Sequence, residues 1–278
     1  MPELPEVETI VRTLRPKVRG SVITGSTLLR ASALAPQSLP LKKITGCRID
    51  DVVRRGKLIL FRLAPGEASP QHVIIHLRMT GALLPQMITA KPQAATRCVF
   101  DLRTPDGSER RLFFNDVRAF GQILIADDAM LAAWPFWAEL GPEPLGMDNA
   151  AFAARLAGKK SAIKAVLLDQ RVLAGIGNIY ADESLFRAGI SPRRKACDLT
   201  PPQRRRLLSA IHQTLTLAIA QCGTSVRNYR DANGDAGAFQ NFLAVYGRGG
   251  QHCLICGRIL EKMRVAGRGT VFCPNCQH

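Results

Sequence analysis

The chain has 278 residues, which is long enough for two domains of ordinary size. Hydrophobic residues make up 46% of it and charged residues 22%, a composition that allows a sizeable core and excludes global disorder. Its 38 Lys and Arg against 22 Asp and Glu leave a net charge of +16, which indicates a polyanionic partner, a ribosomal or RNA-binding protein being the simplest interpretation.

The charge is concentrated in the second half of the chain. Residues 151–278 hold 19 basic and 7 acidic residues, a net of +12, whereas residues 1–150 hold 19 and 15, a net of +4. We expect the second half to carry most of the contact with nucleic acid, with a steep salt dependence. No apolar run approaches the about 20 residues of a membrane span, and the acidic start MPELPEVE is unlike a secretory signal. A soluble intracellular protein is therefore expected.

The first predicted element is a helix over Pro5–Arg19. Its apolar residues recur at the spacing of one buried stripe, at Val7, Ile10, Val11, Leu14 and Val18. Short β-rich runs follow from about 21 to 126, separated by turns such as Pro65–Gly66: SVITGSTLL, KLILFRL, HVIIHLRM, RCVFDL, RRLFF and GQILIA. Six or more short strands after one helix predict an antiparallel sandwich or barrel as the N-terminal domain, residues 1–126.

The second half is predicted to be helical. Residues 127–149, with the Pro- and aromatic-rich stretch 134–144, are interpreted as a linker. Helical periodicity then covers 150–156, 162–168, 179–187 and 202–221 within a domain over 150–247. The segment 229–237 is too polar to be buried, so we expect a mobile loop at about 225–240. The fold class is therefore α+β with two domains, followed by a small module over 248–278.

Four cysteines in that module have the spacing of a zinc site. The pairs Cys253-x2-Cys256 and Cys273-x2-Cys276 are separated by sixteen residues. Two such knuckles across a short hairpin place four thiolates around one structural Zn²⁺, with two disulfides or a redox pair as the alternatives. The remaining cysteines are expected to be buried thiols: Cys47, Cys98, Cys197 and Cys222.

The stretch between the knuckles, residues 258–268, is strongly basic. A hairpin this small cannot bury those charges. It is either a solvated basic loop or a finger that inserts an arginine toward a phosphate or a groove.

The N-terminus has its own chemistry. Removal of Met1 would leave Pro2 with a secondary amine, which condenses with an aldehyde carbon to a charged iminium. Glu3, one residue away, could pass protons. The alternative is that these residues only cap the first helix.

Taken together, the motifs resemble the bacterial formamidopyrimidine-DNA glycosylases, which also act on 8-oxoguanine. The blocks that carry the resemblance follow the family's order along nearly the whole chain: PELPEVETIVRTL, RRGKLILF, IIHLRMTG, NDVRAFG, IKAVLLDQRVLAGIGNIYADESLFRAGISP, VYGRGGQHC and the CxxC…GRGTVFCPNCQ ribbon. The related endonuclease VIII branch, which prefers oxidised pyrimidines, typically begins PEGPEI. Leu4 and Val7 favour the purine-directed branch.

The resemblance implies a helix–two-turn–helix domain with a zinc-ribbon hairpin, and a base-excision repair enzyme that is both DNA glycosylase and AP lyase. It implies that Pro2 attacks C1′ of the damaged nucleotide, that Glu3 is the acid/base and that Lys57 contacts phosphate and assists β-elimination. Arg268 of the zinc hairpin would hold the flanking phosphate and assist δ-elimination. No redox cofactor is implied.

The resemblance also implies a DNA interface. Met79, Arg118 and Phe120 would fill the hole left by the flipped-out base, and Lys159 would contact phosphate. From its place after Gly175-Ile-Gly, Asn178 is predicted as the N-cap of a helix, where it would also bind phosphate. Without the family, Met79 and Phe120 would more often belong to a core.

Two departures from the family pattern concern DNA contacts. Ala119 stands where a second basic residue is common, and residues 94–97 replace a His-Asp-His string, so that Arg97 is a possible substitute. The expected partner is damaged double-stranded DNA, with no membrane. The expected state is a monomer in the bacterial cytoplasm, nucleoid-associated when on DNA. The alternatives are a pyrimidine-directed glycosylase and a lesion-binding protein without catalysis.

Overall fold

The computed structural model describes residues 1–64, 70–225 and 229–278. The chain forms two compact units. Unit 1 comprises Met1–Glu139 and Cys222–Gly237, and unit 2 comprises Leu140–Gln221 and Ala238–His278. The predicted turn Pro65–Gly66 and residues 226–228 of the predicted mobile loop lie outside the described residues. The domain boundaries predicted at 126, 149 and 247 stay predictions.

Unit 1 begins with helix α1, Leu4–Val18, as the apolar periodicity predicts. Val7, Ile10 and Leu14 are almost completely buried, because residues three and four apart share one helix face. The helix ends before Gly20, whose φ of 81° is a left-handed conformation that glycine adopts without strain.

Eight strands of unit 1 form two antiparallel sheets, which confirms the predicted sandwich. The strands are β1 Val22–Leu28, β2 Ile49–Arg55, β3 Leu58–Leu63, β4 His72–His76, β5 Gly81–Met87, β6 Thr96–Arg103, β7 Glu109–Asp116 and β8 Gln122–Ala126. The first sheet has the order β1-β6-β7-β5 and the second β2-β3-β4-β8. Sequence reasoning missed β2 and β5. Both are edge strands, where half-buried charges in β2 and Pro85 in β5 are tolerated but weaken the strand pattern.

Both faces of the second sheet are buried. Ile59 and Phe61 of β3 face a core shared with α1 and the first sheet, whereas Leu58 and Leu60 face a second cluster. Trp134, Phe136 and Trp137 of the predicted linker cover that second cluster. They accompany two short helices, α2 Asp128–Ala133 and α3 Pro135–Ala138. Burial on both faces explains why β3 and β4 read as nearly continuous apolar runs.

Unit 2 contains four helices and a hairpin in its described part. They are α4 Asn149–Leu156, α5 Ile163–Leu168, α6 Asn178–Ala188, α7 Pro201–Ala220, β9 Glu261–Val265 and β10 Arg268–Phe272. All four helices agree with the predicted ranges to within one or two residues. Helix α7 starts with a capping box between Thr200 and Gln203, which stabilises a helix start by about 1 kcal/mol.

The segment 229–237 belongs to unit 1, and the expectation that it is too polar to be buried is wrong for Asp231, Ala232 and Gly237, whereas Arg230 and residues 233–236 are exposed. Ala232 lies in the main core, and Asp231 is also buried. The Asp231 carboxylate accepts the backbone N–H groups of Asn233 at 2.8 Å and Asp235 at 3.0 Å. Burial is tolerated because Lys17 and Thr13 of α1 bond the carbonyl and the N–H of Ala232.

Two of the four cysteines outside the zinc module are not where they are expected. Cys47 and Cys98 are buried, but Cys197 and Cys222 are exposed, because they lie in turns beside α7 that the cores do not cover. None of the helices in the described ranges has the length and apolar character needed to cross a membrane.

Candidate active site and DNA interface

Pro2 and Glu3 are buried at the start of α1, next to the half-exposed Met1. While Met1 is attached, the Pro2 nitrogen is an amide and not a nucleophile. Glu3 is the N-cap residue, and its backbone N–H donates to Glu6 Oε2 at 2.8 Å. Glu3 can therefore cap the first helix and still lie beside a nucleophilic Pro2, so the two interpretations of this segment are compatible.

The charge of Glu6 suits a helix N-terminus, but sequence reasoning gave Glu6 no place in the site, although the E-x-x-E spacing of a capping box was available as a signal. Its Oε1 accepts the N–H of Thr224 at 2.7 Å, while Oε2 holds Glu3. Tyr229 donates its hydroxyl to the Glu6 carbonyl at 3.2 Å. Burial raises the pKa of Tyr229, and the negative charge of Glu6 raises it further, so the phenol stays protonated and remains a donor. Glu6 thus joins the start of α1 to the segment after α7.

Lys57 lies in the two-residue turn that joins β2 to β3, where Arg55 pairs with Leu58. Gly56 precedes it with a φ of 57°, which this tight turn requires. Arg54 donates to Glu8 of α1 at 2.8 Å and to the Gly56 carbonyl at 3.0 Å. This guanidinium therefore ties the turn that carries Lys57 to the first half of α1.

Glu8 is ionised in this contact. Burial acts to raise its pKa, but hydrogen bonds from Arg54 and Arg12 outweigh that effect and lower the pKa below its usual value. The lowered pKa indicates that Glu8 is a stable anchor for Arg54 at neutral pH.

Met79, Arg118 and Phe120 lie in two adjacent turns of unit 1, between β4 and β5 and between β7 and β8. Phe120 is 54% exposed, and the Arg118 guanidinium carbon lies 4.9 Å from the centre of its ring. Met79 is half-buried and is not among the buried hydrophobic residues that make up the core. The interpretation of Met79 and Phe120 as core residues is therefore wrong. An exposed arginine stacked on an exposed aromatic ring is suited to contact a base.

Asp116 organises both turns, and sequence reasoning did not single it out. It is 1% exposed and its Oδ2 accepts the Gly121 N–H at 2.7 Å, while Oδ1 accepts the Arg118 N–H at 3.2 Å and the Thr80 hydroxyl. A Cβ on Gly121 would lie 2.6 Å from the Phe114 ring, so glycine is required there. The carboxylate thus holds the two turns in one arrangement.

Arg97 is not exposed enough to contact DNA in place of the absent His-Asp-His string. It is 8% exposed, and it donates to the carbonyls of Asp116 at 2.7 Å and Val117 at 3.3 Å. Arg97 is therefore a brace for the turn that carries Arg118. In that turn Ala119 has a φ of 56°, a left-handed conformation that a side chain adopts with strain.

His76 supports the other turn as a neutral ring. It is 8% exposed, and its Nδ1 accepts the Arg78 N–H at 2.9 Å. Burial, together with the charges of Arg78 and Lys57, lowers the pKa of His76 to about 3. Its Nε2 therefore carries the proton, because Nδ1 is the acceptor.

Asn178 is not the N-cap of α6, contrary to the prediction. Gly177 occupies the N-cap position, and Asn178 is the first helical residue. As the first helical residue it lies one position too late for its side chain to accept a capping N–H, and its amide N–H donates to the Gly269 carbonyl at 3.0 Å. An amide has two N–H bonds, so one remains for a phosphate oxygen.

A buried ion pair holds the start of β10. Lys164 Nζ lies 2.6 Å from Asp182 Oδ1, and both side chains are fully buried. The same ammonium donates to Thr270 Oγ1 at 2.6 Å and to the Gly269 carbonyl at 3.2 Å. Arg268, which is exposed, directly precedes these anchored residues. Lys164 is thus a brace behind Arg268.

The four cysteines of the module meet in one cluster. All their sulfurs lie within 4.8 Å of one another, with 3.9 Å between Cys253 and Cys276 and 3.5 Å between Cys256 and Cys273. Zn–S bonds of about 2.3 Å in a tetrahedron give S–S distances of about 3.8 Å. A disulfide needs about 2.05 Å, so these thiols fit one Zn²⁺ and not two disulfides. Four protein ligands close the tetrahedron, which makes this zinc structural.

The predicted site residues are divided between the two units. Unit 1 holds Pro2, Glu3, Lys57, Met79, Arg118 and Phe120, and unit 2 holds Lys159, Asn178, Arg268 and the four cysteines. Lys159 is half-buried in the turn after α4, where its carbonyl accepts the Cys197 N–H at 3.0 Å.

Family sequence profiles match three successive parts of the chain. The formamidopyrimidine-DNA glycosylase N-terminal domain matches residues 1–123, and the formamidopyrimidine-DNA glycosylase H2TH domain matches residues 140–230. A zinc finger found in FPG and IleRS matches residues 250–278.

Whole proteins and solved structures agree with these matches. The chain is 44% identical to formamidopyrimidine-DNA glycosylase of Desulfitobacterium hafniense and 39% identical to that of Nitratidesulfovibrio vulgaris, with all of both chains covered. The crystal structure of MutM (Fpg) from Thermus thermophilus superposes with a TM-score of 0.86 at 40% identity, covering 99% of this chain and 98% of that one. A Lactococcus lactis Fpg variant in complex with Fapy-dG-containing DNA has a TM-score of 0.90 at 32% identity, with both chains fully covered.

Proposed function

The chain belongs to the formamidopyrimidine-DNA glycosylase family, and from that premise we propose which of its residues perform each step of base excision. It is a DNA glycosylase and AP lyase of base-excision repair that acts on damaged double-stranded DNA. The observation that carries the assignment of residues is the position of Pro2, between the exposed Met1 and the buried N-cap residue Glu3.

Pro2 is the proposed nucleophile. Once Met1 has been removed, the secondary amine attacks C1′ of the damaged nucleotide, and the bond from C1′ to the base breaks with its electron pair leaving on the base. The Pro2 nitrogen loses its N–H proton, the bond from C1′ to O4′ breaks as Glu3 donates a proton to O4′, and the freed nitrogen lone pair forms the iminium between Pro2 and C1′. The iminium is an electron sink, so the phosphate bonds on either side of the sugar can then be eliminated.

Lys57 and Arg268 are the proposed partners of these eliminations. Lys57 contacts a phosphate and assists β-elimination, and Arg268 holds the flanking phosphate and assists δ-elimination. Each is presented by a short turn that other residues anchor, through Arg54 for Lys57 and through Lys164 for Arg268. Loss of both phosphate bonds leaves a one-nucleotide gap with a phosphate at each end.

The exposed turns of unit 1 are proposed to act on the duplex before the chemistry. The base must leave the stack for C1′ to be reached. Met79 would then occupy the hole, Arg118 would face the orphaned base, and Phe120 would stack beside it. Lys159 and Asn178 would hold phosphates. The zinc ion organises the hairpin that carries Arg268 and supplies no activated water.

Oxidised purines are the proposed substrates, namely 8-oxoguanine and formamidopyrimidines. A second candidate substrate class is oxidised pyrimidines, because wild-type Lactococcus lactis Fpg, of similar fold, was solved with DNA containing an oxidised pyrimidine. A lesion-binding protein without catalysis is disfavoured, because binding alone does not require an N-terminal amine. We further propose that the enzyme acts as a monomer in the bacterial cytoplasm.

Borohydride trapping followed by mass mapping tests the proposal. On a duplex with 8-oxoguanine opposite cytosine, the parent enzyme should give a covalent adduct at Pro2, and a Pro2→Gly variant should lose most base excision. Leu4→Ile, a conservative change at the residue after Glu3 that keeps Pro2 and Glu3, is the control and should still trap. Full excision by Pro2→Gly would refute the nucleophile. An adduct with an oxidised pyrimidine alone would move the substrate to the second class.

A further inference from the structure

Two segments of unit 2 pair side by side and carry basic side chains that the proposed chemistry does not use. Ile163 N–H donates to the Arg194 carbonyl at 2.7 Å, and Ala196 N–H donates to the Ser161 carbonyl at 3.0 Å. Ala162 and Lys195 form an antiparallel bridge between the segments. We name the cations that this pairing brings together the basic ribbon: Lys159, Lys160, Arg193, Arg194 and Lys195.

The basic ribbon carries more positive charge than the carboxylates beside it can balance. Lys160, Arg193 and Lys195 are exposed, while Lys159 and Arg194 are half-buried. Among the residues that the structure describes, none of the five forms an ion pair within 4.0 Å, and the Arg194 side chain donates to a backbone carbonyl, that of Asp198 at 3.5 Å. Two carboxylates lie beside the ribbon: Asp198 in the second segment, and Asp169, which already pairs with Arg171 at 3.1 Å and whose pKa is lowered by Arg171 and also by Lys159. Five crowded cations destabilise the isolated protein by mutual repulsion, so they are suited to a partner with regularly spaced negative charges.

We propose that the basic ribbon binds the sugar-phosphate backbone of the duplex that flanks the lesion, beyond the nucleotides that the catalytic residues contact. The inference rests on the proposed function, because Lys159 is both the first member of the ribbon and a proposed phosphate contact. The bond from Cys197 N–H to the Lys159 carbonyl makes the second segment continuous with that contact. Arg193 and Lys195 therefore extend the DNA interface along the backbone and bind without regard to sequence.

A duplex-length series separates the ribbon from the catalytic contacts. The variant is Arg193→Gln/Lys195→Gln, and the control with the same change of net charge is Lys42→Gln/Lys43→Gln, two exposed lysines of unit 1. Binding to a tetrahydrofuran abasic analogue is measured by fluorescence anisotropy on duplexes of about 12 and about 30 base pairs. The slope of log K against log salt is negative, and each lost phosphate contact makes it shallower by about 0.9.

On the long duplex, two lost contacts should make the slope shallower by about 1.8. The ratio of parent affinity to variant affinity should therefore fall about 12-fold between 50 and 200 mM salt. On the short duplex, the variant and the parent should bind alike, and the control should match the parent on both. An unchanged slope on the long duplex, or an equal effect in the control, would overturn the proposal. A complex of two duplexes per protein that the variant loses would overturn it in favour of a second DNA molecule.

The proposal for the basic ribbon and the proposed function are tested by separate measurements. Borohydride trapping at Pro2 on the short duplex reports the proposed function and should be normal in the double variant. If the parent does not trap, the proposed function fails, while the length-dependent slope still decides whether the ribbon binds DNA. Equal thermal unfolding midpoints for parent and variant would exclude misfolding, which is expected because the substituted side chains are exposed.

Discussion

A single buried carboxylate determines how the proposed wedge is presented. The partners of Asp116 come from both turns, and one of them, Thr80, is 36 positions away in the sequence. Arg97 holds the Asp116 carbonyl from the other side. Phe120 is exposed and Met79 only half-buried, so this network, more than core packing, sets the positions of their turns.

We therefore predict that Asp116→Asn impairs lesion capture. The amide presents N–H groups where the carboxylate accepts them, and the loss of a hydrogen bond to a charged group costs about 1.5–3 kcal/mol. Excision of 8-oxoguanine should fall about tenfold or more, since each 1.4 kcal/mol is a factor of about ten. Cleavage of a preformed abasic site should change much less, because no base has to be flipped.

The matched control is Asp101→Asn, the same chemical change at a residue of β6 that bonds Arg111 outside the two turns. It should retain the parent's ratio of excision to abasic-site cleavage. Equal losses on both substrates in Asp116→Asn would contradict the assignment of Asp116 to the wedge.

At the scale of elements, the zinc hairpin depends on two independent anchors. Zinc would hold the open end of the hairpin through four thiolates, where Cys273 follows β10, and Lys164 with Asp182 holds the start of β10 next to the turn. A hydrophobic cluster that includes Phe186 and Leu260 lies beside the cysteines. Arg268 therefore belongs to an element whose fold the metal completes.

Loss of zinc should uncouple Arg268 from the rest of unit 2. In Cys276→Ser we expect bound zinc to fall from one per chain to near zero, and DNA affinity to fall about tenfold or more, because structural zinc contributes its binding free energy to folding. Zinc content is measured by atomic emission and affinity by anisotropy.

Cys197→Ser, at an exposed cysteine outside the cluster, should retain both values. Unchanged DNA affinity after verified loss of zinc would show that the hairpin does not need the metal for binding.

At the scale of the whole molecule, the stability of unit 1 should depend on pH through His76. Its pKa is about 3 in the folded protein and about 6.5 in an unfolded chain. The unfolded state therefore binds more protons than the folded state between these values, and the free energy of unfolding falls as the pH falls below about 6.5. The lost stability amounts to about 2 kcal/mol at pH 5.

Tryptophan fluorescence measures this effect in unit 1, because both tryptophans of the chain, Trp134 and Trp137, pack against its second core cluster. Denaturant titrations of His76→Gln should show a shallower fall between pH 6.5 and pH 5 than the parent shows. His252→Gln, at an exposed histidine, should keep the parent's slope. The same slope in His76→Gln as in the parent would rule out His76 as the source.

The sequence alone determined the features that depend on local spacing. The stripe of α1, the helices of unit 2 and the four cysteines are each defined by residues a few positions apart, and the structure agrees with them. The family blocks added the helix–two-turn–helix domain and the enzyme activity. The roles of Pro2, Glu3, Lys57 and Arg268 stay proposals.

The tertiary structure decided which polar groups meet across long stretches of chain. It placed Ala232 in a core, gave the Asn178 amide to Gly269, and paired Lys164 with Asp182 behind Arg268. It also made Asp116 the anchor of two turns. Periodicity shows which face of an element is buried, but the partner of a buried charge depends on strand register and helix packing, which form only when distant segments come together.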